Sequence, residues 1–72
     1  MDKEYLERKF KQFKEDKAKG LFPKKHFIEV VLNNNASIIA DDYIIYNDYS
    51  LDFFIGGHLS GVCELANIKM LI

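Results

Sequence analysis

One cysteine, one proline and four glycines in 72 residues close off several architectures at once. A lone Cys63 permits neither an intramolecular disulfide nor a cysteine-based zinc cluster, which fits a reducing compartment. Scarce proline and glycine leave no linker, internal repeat or low-complexity segment, so residues 1–72 are read as one domain. The longest uninterrupted apolar run, residues 43–46, is four residues. Spanning a bilayer takes about 20, so no membrane segment is expected. The opening MDKEYLERKF is charged from the second residue and has no signal-peptide core. These features together predict a cytoplasmic protein.

What is present is apolar and unevenly charged. Hydrophobic residues make up 49% of the chain, enough for a packed core despite the small size. Residues 1–25 hold nine cations against five acids, a net of +4, and residues 26–72 hold Lys69 against six acids, a net of −5. Such an asymmetry either marks an interaction surface or gives each half its own solvated face. Abundant Lys, Ile and Asn suit an AT-rich genome, that of a low-GC bacterium or one of its phages.

Residues 2–19 predict an amphipathic helix. Leu6, Phe10 and Phe13 recur at i, i+4 and i+7 with Tyr5 beside them. Glu4–Arg8, Glu7–Lys11 and Glu15–Lys19 are spaced for ion pairs one turn apart. Gly20 can take the left-handed conformation after the last turn, and Pro23 blocks continuation.

From residue 26 the apolar period falls to about two, and residues 26–72 read as strand-rich. Strands are expected at 26–32, at 36–46 as one long strand or two segments with a bulge at Asp41–Asp42, at 51–55, at 59–64 and at 68–72. Asn33–Asn35, residues 47–50 and residues 56–58 turn the chain, and residues 65–67 form a short corner. The predicted class is α+β and mostly β: the helix followed by a four- or five-stranded antiparallel sheet, or by a small SH3-like barrel. A helix, five short strands in sequence and a one-turn corner before the last strand resembles the Sm-like, Hfq-like small barrel. The resemblance follows the order of elements along the whole chain, and no residue-level motif comes with it. It implies an oligomer that binds RNA or a nucleotide.

Strand parity predicts a core of Ile28, Val30, Leu32, Leu51, Phe53, Ile55, Cys63, Met70 and Ile72. It turns Phe27, Val31, Tyr43, Ile45, Phe54, Val62 and Leu71 the other way. One short helix cannot cover that second set, and exposed apolar patches mark interfaces. Phe27, Val31, Tyr43, Ile45, Phe54 and Leu71 are therefore candidate interface residues of a homo-oligomer, with Phe54 or Tyr43 in or beside the contact.

Catalytic chemistry finds little footing. A Cys63 nucleophile needs His58 or His26 within hydrogen-bond reach, and residues 58 and 63 differ in strand parity. His26, His58 and nearby acids show no metal-ligand spacing, and neither metal nor cofactor is expected. Asp41, Asp42, Asp48, Asp52 and Glu64 form a candidate acidic surface. It either keeps strand edges soluble or imitates nucleic-acid phosphate toward a basic groove on a partner. Arg8, Lys9, Lys11, Lys14, Lys17, Lys19, Lys24 and Lys25 could line up along nucleic acid. A pI of about 6.1 argues against that. The expectation is a non-enzymatic, oligomeric protein-binding module, suited to a phage- or mobile-element-encoded modulator of a host protein. The alternatives are an Sm-like RNA- or nucleotide-binding oligomer and, third, a small enzyme using Cys63 or a histidine.

Overall fold

The apolar stripe of the N-terminal segment winds into α1, Lys3–Ala18. In the computed structural model, which describes residues 1–20 and 26–72, Asp2 caps this helix. Its carboxylate accepts the Glu4 N–H at 3.2 Å, satisfying a donor with no partner inside the helix. Gly20 ends it at φ +72°, the left-handed geometry expected of that residue. Pro23, Lys24 and Lys25 lie outside the described residues. Leu6, Phe10 and Phe13 are buried, as their spacing predicts. Among the described residues the i, i+4 ion pair is Lys3–Glu7 at 3.7 Å, rather than the three read from the sequence. That substitution matters little, since exposed pairs of this kind contribute a few tenths of a kcal/mol, on the order of 0.3–0.5.

Six strands follow: β1 Ile28–Leu32, β2 Ser37–Ala40, β3 Asp42–Ile45, β4 Ser50–Ile55, β5 His58–Glu64 and β6 Ile68–Leu71. They form two three-stranded antiparallel sheets, ordered β2–β1–β6 and β3–β4–β5. The protein is thus α+β and mostly β. Of the two forms expected for residues 36–46, one long strand or two segments, the chain takes the second and divides at Asp41. The Asp41 N–H donates to the Phe54 carbonyl (2.8 Å), and its carboxylate accepts the Gly56 N–H (3.0 Å). This acid therefore pins the chain where it leaves one sheet for the other. The strands do not close into a barrel.

In two turns a residue other than glycine takes positive φ, Asn35 (+67°) and Tyr49 (+64°). Asparagine tolerates this conformation, whereas a tyrosine there is uncommon. Asp48 holds the second turn by accepting both the N–H and the hydroxyl of Ser50, at 3.1 and 2.6 Å. The Tyr49 carbonyl accepts the Leu65 N–H (2.9 Å). The corner at 65–67 is a 3-10 turn, Leu65–Asn67, tied to the first hairpin by Asn33, whose N–H reaches the Asn67 carbonyl (2.8 Å) and whose side chain reaches that of Ala66 (3.1 Å).

The core lies between the inner faces of the two sheets and the helix. Phe10 is fully buried, with its ring 4.8 Å from that of Tyr43 and 6.1 Å from that of Phe53. Both are favourable aromatic separations. Val30, Leu51, Ile28, Ala40, Leu65, Ile68 and Leu71 complete the core.

Five residues lie on the face opposite to the one strand parity predicts. Met70 and Ile72, expected inside, are exposed, and Leu71, expected outside, is buried. The β1–β6 pairing slips between Val31 and Leu32, which reverses the parity of the last strand. Tyr43 and Ile45 also turn inward, because Tyr43 pairs with Phe53 and Ile45 with Leu51.

Candidate functional site

Residues opposite one another across antiparallel strands share a face, so the pairing registers define both outer surfaces. On the first sheet, Ile39 stands opposite Glu29, which exchanges backbone hydrogen bonds with Ile72. In the next row Ser37, Val31 and Met70 are aligned, and Phe27 lies on the same side by parity. Ile39, Met70 and Ile72 are exposed, while Phe27 and Val31 are half-buried. Glu29 is the one charged residue in these two rows.

The second sheet presents three rows. Asp42 aligns with Phe54 and Leu59, and Ile44 aligns with Asp52 and Val62. Tyr46 is bonded to Ser50 through the backbone, and Ser50 faces Glu64. Leu59 and Val62 are each 61% exposed, more than any other large hydrophobic residue of the described chain. The three acids fall on successive strands in successive rows, and so form a diagonal. Apolar residues fill the triangle on its β5 side.

The acids differ in what they already hold. Asp42 accepts a hydrogen bond from the Lys14 ammonium at 2.6 Å, which keeps its carboxyl below the ordinary carboxylate value. Asp52 accepts the Tyr46 hydroxyl at 2.7 Å, raising the tyrosine's pKa by holding its proton. Asp48 is committed to its turn and Asp41 to the sheet junction. Glu64 is exposed on β5. The five predicted acids thus divide: Asp42, Asp52 and Glu64 share one face, and Asp41 and Asp48 serve the backbone.

The interface residues predicted from sequence also divide. Phe27 and Val31 stand on the outer face of the first sheet and Phe54 on that of the second. Tyr43, Ile45 and Leu71 face the core. Sequence reasoning missed Ile39, Ile44, Tyr46 and Leu59. The period of two does mark them, but only once the chain is broken at Asp41 and β5 is shifted by its bulge, between Phe53 and Phe54 of the β4–β5 ladder.

On the helix, Arg8 and Lys9 each lie 5.9 Å from the centre of the Tyr5 ring, and Lys14 reaches Asp42. Cys63 packs against the core opposite Leu51, while His58 is exposed at the other end of β5. Burial, with a smaller push from Glu64, raises the Cys63 thiol above its ordinary pKa. The native thiol should therefore react with iodoacetamide far more slowly than in urea-unfolded chain, its rate climbing only at alkaline pH. Equal rates in the two states would contradict this placement.

No group of three or more metal-ligating side chains occurs among the described residues. None of their helices is long and apolar enough to cross a membrane. A shallow depression of about 320 Å³ lies beside the Lys14–Asp42 pair, and a second of about 190 Å³ beside Asn33, Asn34 and Asn67. Comparisons with models of protein families, with curated proteins and with solved structures found no match.

Proposed function

We propose that the protein is a non-enzymatic, self-associating protein-binding module. The observation that carries this reading is the outer face of the first sheet, where Ile39, Met70 and Ile72 are exposed beside two charged residues of opposite sign, Glu29 and Lys69. Contact surfaces of homodimers are apolar and depleted in charge at their centres, and a chain of 72 residues gains a useful share of its stability from a second copy. The second copy covers this face, and the outer face of the other sheet stays free for a different protein. The size and composition suit a phage- or mobile-element-encoded modulator of a host protein.

Light scattering coupled to size exclusion at micromolar concentration should return a multiple of 8.4 kDa. The double variant Ile39→Glu/Ile72→Glu should return the monomer mass with its helical circular dichroism intact. A monomer for the unaltered chain overturns self-association.

A second reading is an Sm-like oligomer that binds RNA or a nucleotide. It is favoured by the helix, the strand order and the 3-10 turn before the last strand. The outer strands β5 and β6, one at the edge of each sheet, are placed to pair with neighbouring copies. Against it stand the acidic diagonal and a pI of about 6.1, well below that of strongly basic nucleic-acid-binding domains. Single-stranded RNA bound with an affinity that falls steeply with salt would favour this reading over the first.

A further inference from the structure

The outer face of the second sheet shares exposed large apolar side chains with the self-association face and adds charge of one sign. We propose that this face binds a cationic amphipathic helix of a partner protein. The apolar side of that helix lies on Phe54, Leu59 and Val62, and its lysines or arginines lie over Asp52 and Glu64. The inference rests on the protein-binding reading above and names the chemistry of the partner.

The apolar triangle alone does not select an occupant; the diagonal beside it does. No lysine or arginine stands in the three rows of this face. Lys14 neutralises Asp42 from within the chain, and no ion pair engages Asp52 or Glu64 among the described residues. Asp52 accepts its hydrogen bond from a neutral hydroxyl rather than from a cation. Nucleic acid and acidic segments are repelled by such a face, and a purely apolar partner would bury two carboxylates without compensation. A helix with an apolar stripe flanked by cations answers both demands, since residues three and four apart line one side.

The chain's own helix does not supply this partner. The row opposite its buried stripe mixes both signs, two acids and two cations: Glu4, Arg8, Lys11 and Glu15.

The test uses a synthetic amphipathic helical peptide of leucine and lysine, its glutamate-for-lysine counterpart, and fluorescence anisotropy on the full chain. The lysine peptide should bind, and the glutamate peptide should not. Asp52→Asn/Glu64→Gln should weaken the lysine peptide at least about tenfold. Leu59→Ser/Val62→Ser should do the same, because both halves of the face are used. Asp52→Lys/Glu64→Lys should reverse the preference toward the glutamate peptide, a result that loss of folding cannot imitate. Light scattering on these variants should show the mass of the unaltered protein, which separates this face from the self-association face. Unchanged affinity in both neutralised and serine variants overturns the proposal. So do equal binding of the two peptides, competition by single-stranded RNA for this face, and dissociation to monomer caused by the serine pair.

Discussion

Phe10→Ala is expected to destabilise the protein by about 3–5 kcal/mol, the usual cost of truncating a fully buried phenylalanine. Phe10 joins the helix to the second sheet, touching both Tyr43 and Phe53. A chain of this length has a total stability of about 4–11 kcal/mol by general proportion, so the loss is a large fraction of the whole. Urea melts followed by circular dichroism measure the loss. A shift below about 1 kcal/mol would mean that the helix contributes little to holding the sheets together.

The second large effect is expected at Gly61. This residue lies on the inner face of β5 opposite Phe53, where a Cβ would stand 2.9 Å from Ile38 Cδ1, 3.0 Å from Cγ1 and 3.1 Å from Cγ2. All three atoms crowd the same space, and a β-branched side chain on a strand has little freedom to rotate away. Glycine is thus what lets β5 approach β2. Gly61→Ala should cost about 1–3 kcal/mol through overpacking, despite the ~0.5–1 kcal/mol that alanine ordinarily gains over glycine within a strand. Gly61→Val should cost more. In an Ile38→Ala background the penalty should vanish or change sign, because the obstructing atoms are gone. A double-mutant cycle with a coupling energy below about 0.5 kcal/mol would show that the two strands are not in contact there.

The sequence was most informative where a single period ran uninterrupted. Leu6, Phe10 and Phe13 announce the helix and its buried side together, and Asp2 and Gly20 mark its ends. The short strands, their turns and the corner at 65–67 are also readable, because each is bounded by glycine, asparagine or aspartate. What failed was the assignment of faces after an irregularity. A bulge leaves no mark in composition, yet one added residue exchanges inside for outside along the rest of the strand. Met70, Leu71 and Ile72 were inverted in this way. The break at Asp41 is readable as a bulge or a division into two segments, but the separation into two sheets is not, since it depends on a hydrogen bond to Phe54, distant in sequence. The acids of the candidate site could be named individually. Their alignment into a diagonal required the register.

The connectivity of the two sheets bears on how the chain reaches this structure. In the second sheet partners are close along the chain: Ile45 faces Leu51, six positions on, and Ile55 faces His58 after three. In the first sheet Val30 must find Leu71, 41 positions away. The entropy of closing a loop grows with the logarithm of its length, so the long closure costs about 2 kcal/mol more than the six-residue one. It is repaid only when β6 joins β1, and non-local pairings of this kind slow folding. The β3–β4–β5 meander, with Tyr43 and Phe53 ready to receive Phe10, can form from neighbours alone. Joining β6 to β1 is therefore the entropically expensive step. Until it is complete, β1 keeps an open edge beside the apolar outer face for which self-association is proposed.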